Sequence, residues 1–242
     1  MWGSVVLICL TYLMYGDHVL DNVNTMEGRY KRALDAATYG ALKYRKYDDA
    51  RYMENIADGF DQDVEIDKDA SLKWFYRLFY RNIGIEGNEY AKAELKKYIT
   101  LKAIIGYDRM YVANEDDEWI EILYEIVCEG KIYNLTLTNK VLDVDSNKWR
   151  VIKDIGIEER EKEGILVNLI KENINNTLNL RNNGSQDKYF VDFGLSDIDL
   201  NSRINGISFI SFVEGMPLPS HKVGGNEKLH AVSFSGSELI RK

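Results

Sequence analysis

Cysteine, proline and histidine are all scarce in this chain, and each scarcity excludes a class of protein. Two cysteines, Cys9 and Cys128, cannot form the dense disulfide framework of a small secreted domain. Two prolines, Pro217 and Pro219, leave no Pro-rich linker or recognition segment. Three histidines occur, and none is spaced with another histidine or a cysteine as zinc ligands are. The sequence therefore predicts no bound metal or cofactor.

Positive charge is also in deficit, since 31 Lys and Arg residues stand against 39 Asp and Glu residues. Phosphate binding needs a face rich in Lys and Arg, so we expect no nucleic-acid partner. The chain contains no phosphate loop, dinucleotide fingerprint or nucleophile elbow. Asp192-Phe193-Gly194 matches the metal-binding tripeptide of kinases but lacks the accompanying kinase motifs. From these absences we predict a non-catalytic protein, and the sequence identifies no small-molecule substrate.

One long uncharged stretch lies near the N-terminus, from Trp2 to Gly16. As a helix it would span roughly 22 Å, less than the ~30 Å hydrocarbon core of a bilayer. Three interpretations are open: a signal anchor completed by Val19, Leu20 and Val23, a signal peptide, or a buried core helix. The anchor is favoured over the signal peptide because a basic n-region and a small-residue cleavage site are missing. The predicted anchor residues are Trp2, Val5, Val6, Leu7, Ile8, Leu10, Leu13 and Met14.

A heptad seam of apolar and small residues continues the helical pattern beyond Gly16. Its members alternate between spacings of four and three, the period of a helix that packs along one face. They are Val19, Val23, Met26, Tyr30, Ala33, Ala37, Gly40 and Tyr44. Small residues at Ala33, Ala37 and Gly40 would let another backbone approach closely. The seam could pack only on the chain's own head, or on neighbouring subunits as well.

The segment RALDAATYGAL, from Arg32 to Leu42, carries most of these small residues. An apolar helix that leads into such a segment resembles the anchor helix of Tad-type (tight adherence) pilus pseudopilins and their TadE/TadG-like relatives. The resemblance covers the N-terminal helix alone. It implies a bacterial, single-pass protein of the cytoplasmic membrane, with an extracellular head and with self-association or other pilin-like subunits as partners. No basic leader ending in glycine precedes the apolar run, so processing by a prepilin peptidase is not implied.

Two functions stay open. The first is a non-catalytic structural subunit of a surface appendage or secretion system, assembling through its N-terminal helix. The second is a membrane-tethered extracellular binding or enzymatic head, for which the helix is only a stalk. The exterior placement comes from the resemblance. Taken alone, Arg29, Lys31 and Arg32 beyond the apolar run would keep the head in the cytoplasm by the positive-inside rule.

The predicted fold class is α+β, with a long membrane-anchor helix that continues into an amphipathic stalk over residues 1–46. A head of helices packed on a mostly antiparallel sheet follows over residues 47–242, helical to residue 98 and strand-rich after it. We expect residues 48–242 to fold without the stalk. The predicted helices are Asp49–Phe60, Ala70–Asn82 with Asp69 as its cap, Asn88–Tyr98 and Gly156–Asn182. The predicted strands are Thr100–Ile105, Arg109–Val112, Ile120–Cys128, Lys131–Thr138, Val141–Val144, Lys148–Ile152, Lys188–Phe193, Ile204–Val213 and Leu229–Phe234.

Three local features refine this prediction. Glu129-Gly130 predicts a tight hairpin turn between two antiparallel strands. The Ile204–Val213 strand is partly apolar on both faces, which predicts a central position in the sheet. An acidic run from Asp58 to Asp69 partly matches a calcium loop, but Ile66 stands where that loop requires glycine, so an extended piece is favoured.

Overall fold

The computed structural model describes residues 25–42, 67–184, 207–217 and 228–236. Within these ranges the fold is α+β with antiparallel sheets, as predicted. None of the helices in these ranges is long and apolar enough to cross a membrane. Several predicted features lie outside the described residues: the anchor residues, Val19, Val23, Tyr44, the Asp49–Phe60 helix, the acidic run up to residue 66 and the Lys188–Phe193 strand.

The described residues contain four α-helices. They are α1 over 25–41, α2 over Lys68–Ile83, α3 over Glu89–Lys96 and α4 over Glu159–Gly184, with a short 3-10 helix at Ile152–Ile155. The N-cap of α2 is Asp67, whose side chain accepts a hydrogen bond from the Ala70 N–H. The predicted cap Asp69 is therefore wrong, because it lies in the first turn of α2. Asn88 caps α3 in the same way, where the sequence predicts its start.

The strands form two antiparallel sheets. They are β1 Ile99–Ile105, β2 Arg109–Ala113, β3 Trp119–Leu123, β4 Glu125–Cys128, β5 Lys131–Leu135, β6 Lys140–Asp143, β7 Lys148–Val151, β8 Ser208–Pro217 and β9 Lys228–Gly236. The five-stranded sheet has the order β3-β2-β1-β8-β9, and the four-stranded sheet has the order β4-β5-β6-β7. Since β8 pairs with a strand on each side, its predicted central position is confirmed.

The predicted hairpin turn between β4 and β5 is confirmed. Cys128 pairs with Lys131, and the two residues between them have positive φ, 49° at Glu129 and 76° at Gly130. Two consecutive left-handed residues match the twist of the flanking strands, and glycine adopts that conformation without a Cβ clash. The turn thus sets the register of the four-stranded sheet.

The predicted single strand Ile120–Cys128 is wrong, because the chain leaves one sheet and enters the other at Tyr124. Tyr124 is fully buried between β3 and β4, and its hydroxyl donates to the Gly106 carbonyl over 3.3 Å. Ile122, Tyr124 and Ile126 nevertheless keep a period of two, since all three contact the same core. The period of two in the sequence shows which side of a strand is buried. Because the same side stays buried before and after Tyr124, the period does not reveal the change of sheet.

The strand β8 ends later in the chain than predicted. It runs to Pro217, four residues into the segment that the sequence assigns to a loop from Glu214 onward. A register shift between Glu214 and Met216, with Gly215 at a φ of 71°, marks a β-bulge at this point. The bulge interrupts the alternation of side chains, and this makes the end of the strand resemble a loop in the sequence.

Two cores lie on opposite faces of the five-stranded sheet. The first core joins one face to α1, α2 and α3 through residues such as Ala37, Phe75 and Phe209. The second core joins the other face to α4 and to the inner face of the four-stranded sheet, with Ile170 of α4 fully buried in it. The predicted cover of a sheet face by the fourth helix is confirmed, and the helical cover of the other face is an additional finding.

The helix α1 belongs to the head. Leu34 and Ala41 on this helix are 1% and 0% exposed, in the same core as Phe79 of α2. The division of the chain after residue 46 thus separates a helix from a core that it helps to form. This revises the expectation that residues 48–242 fold alone, because that piece would lack one wall of its first core.

Candidate functional site

The predicted seam on α1 contacts the chain's own head wherever the structure describes it. Ala33 and Ala37 are 3% and 0% exposed, and Met26 and Tyr30 pack on the same core while partly exposed. A Cβ added at Gly40 would overlap Cδ1 of Leu78 on α2. The small residues therefore allow α1 to approach its own head. Contact of this helix with neighbouring subunits stays a prediction.

Polar side chains also join α1 to the five-stranded sheet. The Thr38 hydroxyl donates to the Leu34 carbonyl over 2.8 Å and lies 3.1 Å from the Ser211 hydroxyl of β8. The Ser233 hydroxyl of β9 donates to a carboxylate oxygen of Asp35 over 2.7 Å. Sequence reasoning missed these residues because the seam was defined by apolar and small side chains. The available signal for Thr38 was its position directly after the seam residue Ala37.

A charged cluster, here called the Lys102–Asp117 cluster, lies where the β2–β3 turn meets α2 and α3. It comprises Tyr76, Lys96, Lys102 and Asp117. The Lys102 ammonium is buried and donates to Asp117 Oδ1, to Tyr76 Oη over 3.1 Å and to the Asn114 carbonyl over 3.0 Å. Lys96 contacts the other carboxylate oxygen of Asp117 over 2.6 Å, and Tyr76 donates to the first over 2.8 Å.

The environment of this cluster keeps Asp117 ionised. Burial on its own would raise the pKa of the carboxyl, but hydrogen bonds from Lys102, Lys96 and Tyr76 outweigh it and hold the pKa below its ordinary value of 3.8. The Tyr80 ring stacks on Tyr76 with centroids 5.6 Å apart. Burial, followed by the charge of Asp117, raises the pKa of the Tyr80 phenol far above its ordinary value. The phenol therefore stays neutral beside an ionised carboxylate.

The Lys102–Asp117 cluster is better suited to structure than to catalysis. A carboxylate with a depressed pKa is a weak general base. The ammonium of Lys102 directs its donors at protein oxygens, and both oxygens of Asp117 accept from protein donors. These bonds tie the β2–β3 turn to α2 and α3. A lone lysine in the apolar strand after Thr100 was a signal for a buried charge, but its partner is remote in sequence.

A second buried lysine, Lys162, lies at the start of α4. Its side chain is 2% exposed and donates to the Thr136 carbonyl over 3.0 Å and to the Thr138 carbonyl. The Thr136 hydroxyl in turn donates to the Lys140 carbonyl over 2.7 Å. These bonds hold the β5–β6 loop against α4, which again is a structural role.

Metal ligation finds no support in the part of the chain that the structure describes. Within it, no group of three or more His, Cys, Asp or Glu side chains is placed to hold a metal ion. The calcium interpretation of the acidic run rests mainly on residues outside that part. The two described carboxylates of this run make hydrogen bonds within the fold. Asp67 caps α2, and Asp69 accepts from the Trp119 indole N–H over 3.1 Å.

Among the described residues, one group of exposed apolar side chains lies on the side of the four-stranded sheet that faces away from the second core. We call it the outer sheet face. Its exposed side chains are Val127 (74% exposed), Ile132 (39%), Val144 (41%), Trp149 (51%) and Val151 (48%). Half-buried Leu142 lies among them, directly across from Trp149. Sequence reasoning missed this face, because alternation gives two faces without saying which is covered.

Comparison with known proteins adds no relative. No family model, no curated protein and no solved structure matches the chain. The resemblance of the N-terminal helix to pilus pseudopilins therefore stays a prediction, and a functional proposal has to rest on the residues themselves.

Proposed function

We propose that this protein is a non-catalytic structural subunit of a bacterial surface appendage or secretion system. An N-terminal helix would anchor it in the cytoplasmic membrane with the head outside the cell. The observation that carries the proposal is the burial of α1 in the head core, because the apolar stretch from Trp2 to Gly16 lies a short distance before the described part of this helix, which starts at Thr25.

The support is mechanical. A tethered enzyme needs only a flexible linker between anchor and head, whereas a structural subunit needs a stiff connection that transmits load. The face of α1 that contains Ala33 and Ala37 is buried, and Thr38 and Asp35 hydrogen-bond to two strands. A force applied to α1 is therefore transmitted directly to the five-stranded sheet. The sequence from Gly16 to Thr25 contains no proline and one glycine, Gly16 itself, so a helix could continue across it.

The chemistry of the described residues agrees with a non-catalytic role. The charged groups of the Lys102–Asp117 cluster bond to one another, and Lys162 bonds to loop carbonyls. Each arrangement joins two elements of the fold. The exposed side of α1, which includes Ala36 and Tyr39, would then offer the contact that assembly requires.

Cysteine crosslinking in native membranes tests the proposal. The full chain, with Cys9 and Cys128 replaced by serine, would carry Ala36→Cys on the exposed side of α1. We expect the protein in the membrane fraction, its head digested by protease added to intact cells, and crosslinked multimers. Ala37→Cys is the matched control, because that position is 0% exposed and should not crosslink.

Three results would contradict the proposal. A wild-type chain recovered in the soluble fraction would exclude the anchor. A head that resists protease until the cells are lysed would exclude the exterior placement. A membrane protein that stays monomeric with every exposed α1 cysteine would exclude assembly through this helix.

A second candidate is a membrane-tethered binding head. The observation that favours it is the outer sheet face, since exposed apolar surface of this kind commonly marks an interaction site. Under this alternative, substitution of Trp149 would abolish binding of a partner while substitutions on the exposed side of α1 would have no effect.

A further inference from the structure

The exposed apolar side chains of the head are concentrated on one surface. The described residues include nine exposed large apolar side chains, and five of them lie on the outer sheet face. The remaining four are scattered over α1, α3 and β3: Tyr39, Tyr90, Ile120 and Leu123. Single exposed apolar residues are ordinary on a protein surface, but a contiguous group on one sheet face is not.

The strand register arranges this face in cross-strand rows. The first row places Val127 opposite Ile132, whose carbonyl accepts from the Val144 N–H over 3.0 Å. In the second row, Glu125 is followed by Asn134, Leu142 and Trp149. Lys140 lies opposite Val151 in the third row. Among the strand positions of this face, Glu125 and Lys140 are the charged ones, and they have opposite signs.

We propose that the outer sheet face pairs with the same face of a second copy of this chain, about a two-fold axis that lies between them. The inference goes beyond the proposed function, because it uses only residues 125–151 and holds for an anchored or an unanchored head. A two-fold interface must be self-complementary: if one residue meets another, the reverse contact also forms.

The register satisfies this requirement. Strands lie about 4.8 Å apart, and alternate residues along a strand lie about 6.8 Å apart. On that grid, a two-fold rotation that sets Glu125 over Lys140 of the second copy also sets Trp149 over Ile132. The same rotation brings Val127 close to Val151 and leaves Leu142 and Val144 beside the axis, where each meets its own counterpart. Every exposed apolar residue of the face thereby lies opposite an apolar residue, and Glu125 and Lys140 each lie opposite a group of opposite charge.

The centre of the face contains a buried polar atom without a hydrogen-bond partner. The Asn134 side chain is 3% exposed, and its carbonyl oxygen has no hydrogen-bond partner. A buried acceptor without a partner is costly, and proteins contain few of them. Glu125 and Leu142 flank Asn134 in its row, so a second copy seated here would lie directly over it.

Charge exchange in the full chain, purified in detergent micelles, tests the pairing by sedimentation equilibrium. Glu125→Lys and Lys140→Glu each place like charges opposite one another, and each should weaken dimerisation about tenfold. The double variant restores opposite charges and should return the dimer Kd to near the wild-type value. Trp149→Ser should weaken dimerisation by about thirty-fold, the loss typical of a central aromatic residue.

Controls separate this surface from the rest of the molecule. Tyr90→Ser removes an exposed aromatic ring on α3, away from the outer sheet face and from α1, and should leave the dimer Kd unchanged. Near-UV circular dichroism should be the same for the charge variants and the wild type, since Glu125 and Lys140 lie outside both cores.

Two outcomes would overturn the pairing. The first is a dimer whose Kd is unaffected by either charge reversal, which would place association elsewhere, for example on the N-terminal helix. The second is a monomeric wild type whose Trp149→Ser variant loses a crosslinked partner in cells, which would assign the face to a different protein. A failed anchor test would leave the charge exchange result unchanged, so the two proposals fail separately.

Discussion

Two lysines, Lys102 and Lys162, are buried in this fold, which is rare for a charged side chain. Removing an ammonium group from water costs several kcal/mol unless hydrogen bonds and an opposite charge replace the lost hydration. Lys102 receives a carboxylate from Asp117, a phenol and a carbonyl, whereas the contacts of Lys162 include two backbone carbonyls. Both lysines are 1–2% exposed, so their partners are required for stability.

Neutralising Asp117 should therefore destabilise the protein. Asp117→Asn keeps a side chain that tolerates the positive φ of 68° at this turn, but it removes the charge that faces Lys102 and Lys96. We expect the free energy of unfolding to fall by about 2 to 3 kcal/mol, measured by urea denaturation. Asp116→Asn is the matched control, since Asp116 is exposed and its substitution should cost less than about 0.5 kcal/mol.

The stability of the wild type and that of Asp117→Asn should also depend differently on pH. Because the pKa of Asp117 is lower in the folded protein than its ordinary value of 3.8, the folded state binds this proton less readily than the unfolded state. Its contribution to stability is complete above that ordinary value and is lost as the pH falls through the folded value. The stability difference between wild type and Asp117→Asn should thus be full at about pH 7 and clearly smaller at about pH 3. A difference that stays constant with pH would show that Asp117 acts only through its shape.

At the scale of elements, α1 has two faces with different tolerances. Ala37→Leu introduces extra volume at a position that is 0% exposed and should lower the free energy of unfolding by about 1 to 3 kcal/mol. The neighbouring Ala36→Leu changes an exposed position and should cost less than about 0.5 kcal/mol. Urea denaturation of the two variants side by side measures the contrast. Equal stability of both variants would mean that α1 does not pack on the head in solution.

At the scale of the whole molecule, α1 should decide whether the head folds. A chain that begins at residue 48 lacks one wall of the first core and exposes Phe75, Phe79 and Phe209. We expect this truncated chain to bind a hydrophobic dye and to lose its near-UV circular dichroism. A chain that begins at residue 25 retains α1 and should unfold cooperatively. If both chains unfold with the same midpoint, α1 is only an attachment to the head.

Much of the head follows from local signals. The Glu129-Gly130 dipeptide predicts a turn with positive φ, and the turn at those residues has that conformation. Asn88 predicts the start of α3, and the apolar period after Gly156 predicts a helix that covers a sheet. These signals succeed because they depend on backbone conformation and periodicity, which neighbouring residues determine.

The candidate sites depend on contacts that no local signal contains. Lys102 and Asp117 are apart in the chain, and the β2–β3 turn brings them together. The outer sheet face exists because the chain changes sheet at Tyr124, a change that leaves the period of two intact. The lone lysine in β1 indicates a buried charge, but neither its partner nor the outer sheet face has a sequence signature, since each results from the packing of one element on another.

The sequence by itself determined the fold class, most of the helices and strands, and the small-residue face of the N-terminal helix. Alternation, capping residues and turn residues act over a few positions, so they are legible without a structure. Only the tertiary structure decided what that helix packs against, namely its own head, and which sheet face carries the exposed apolar side chains of the described residues. Which surface becomes buried depends on how favourable its burial is relative to the burial of other surfaces. Those alternatives exist only in the folded chain.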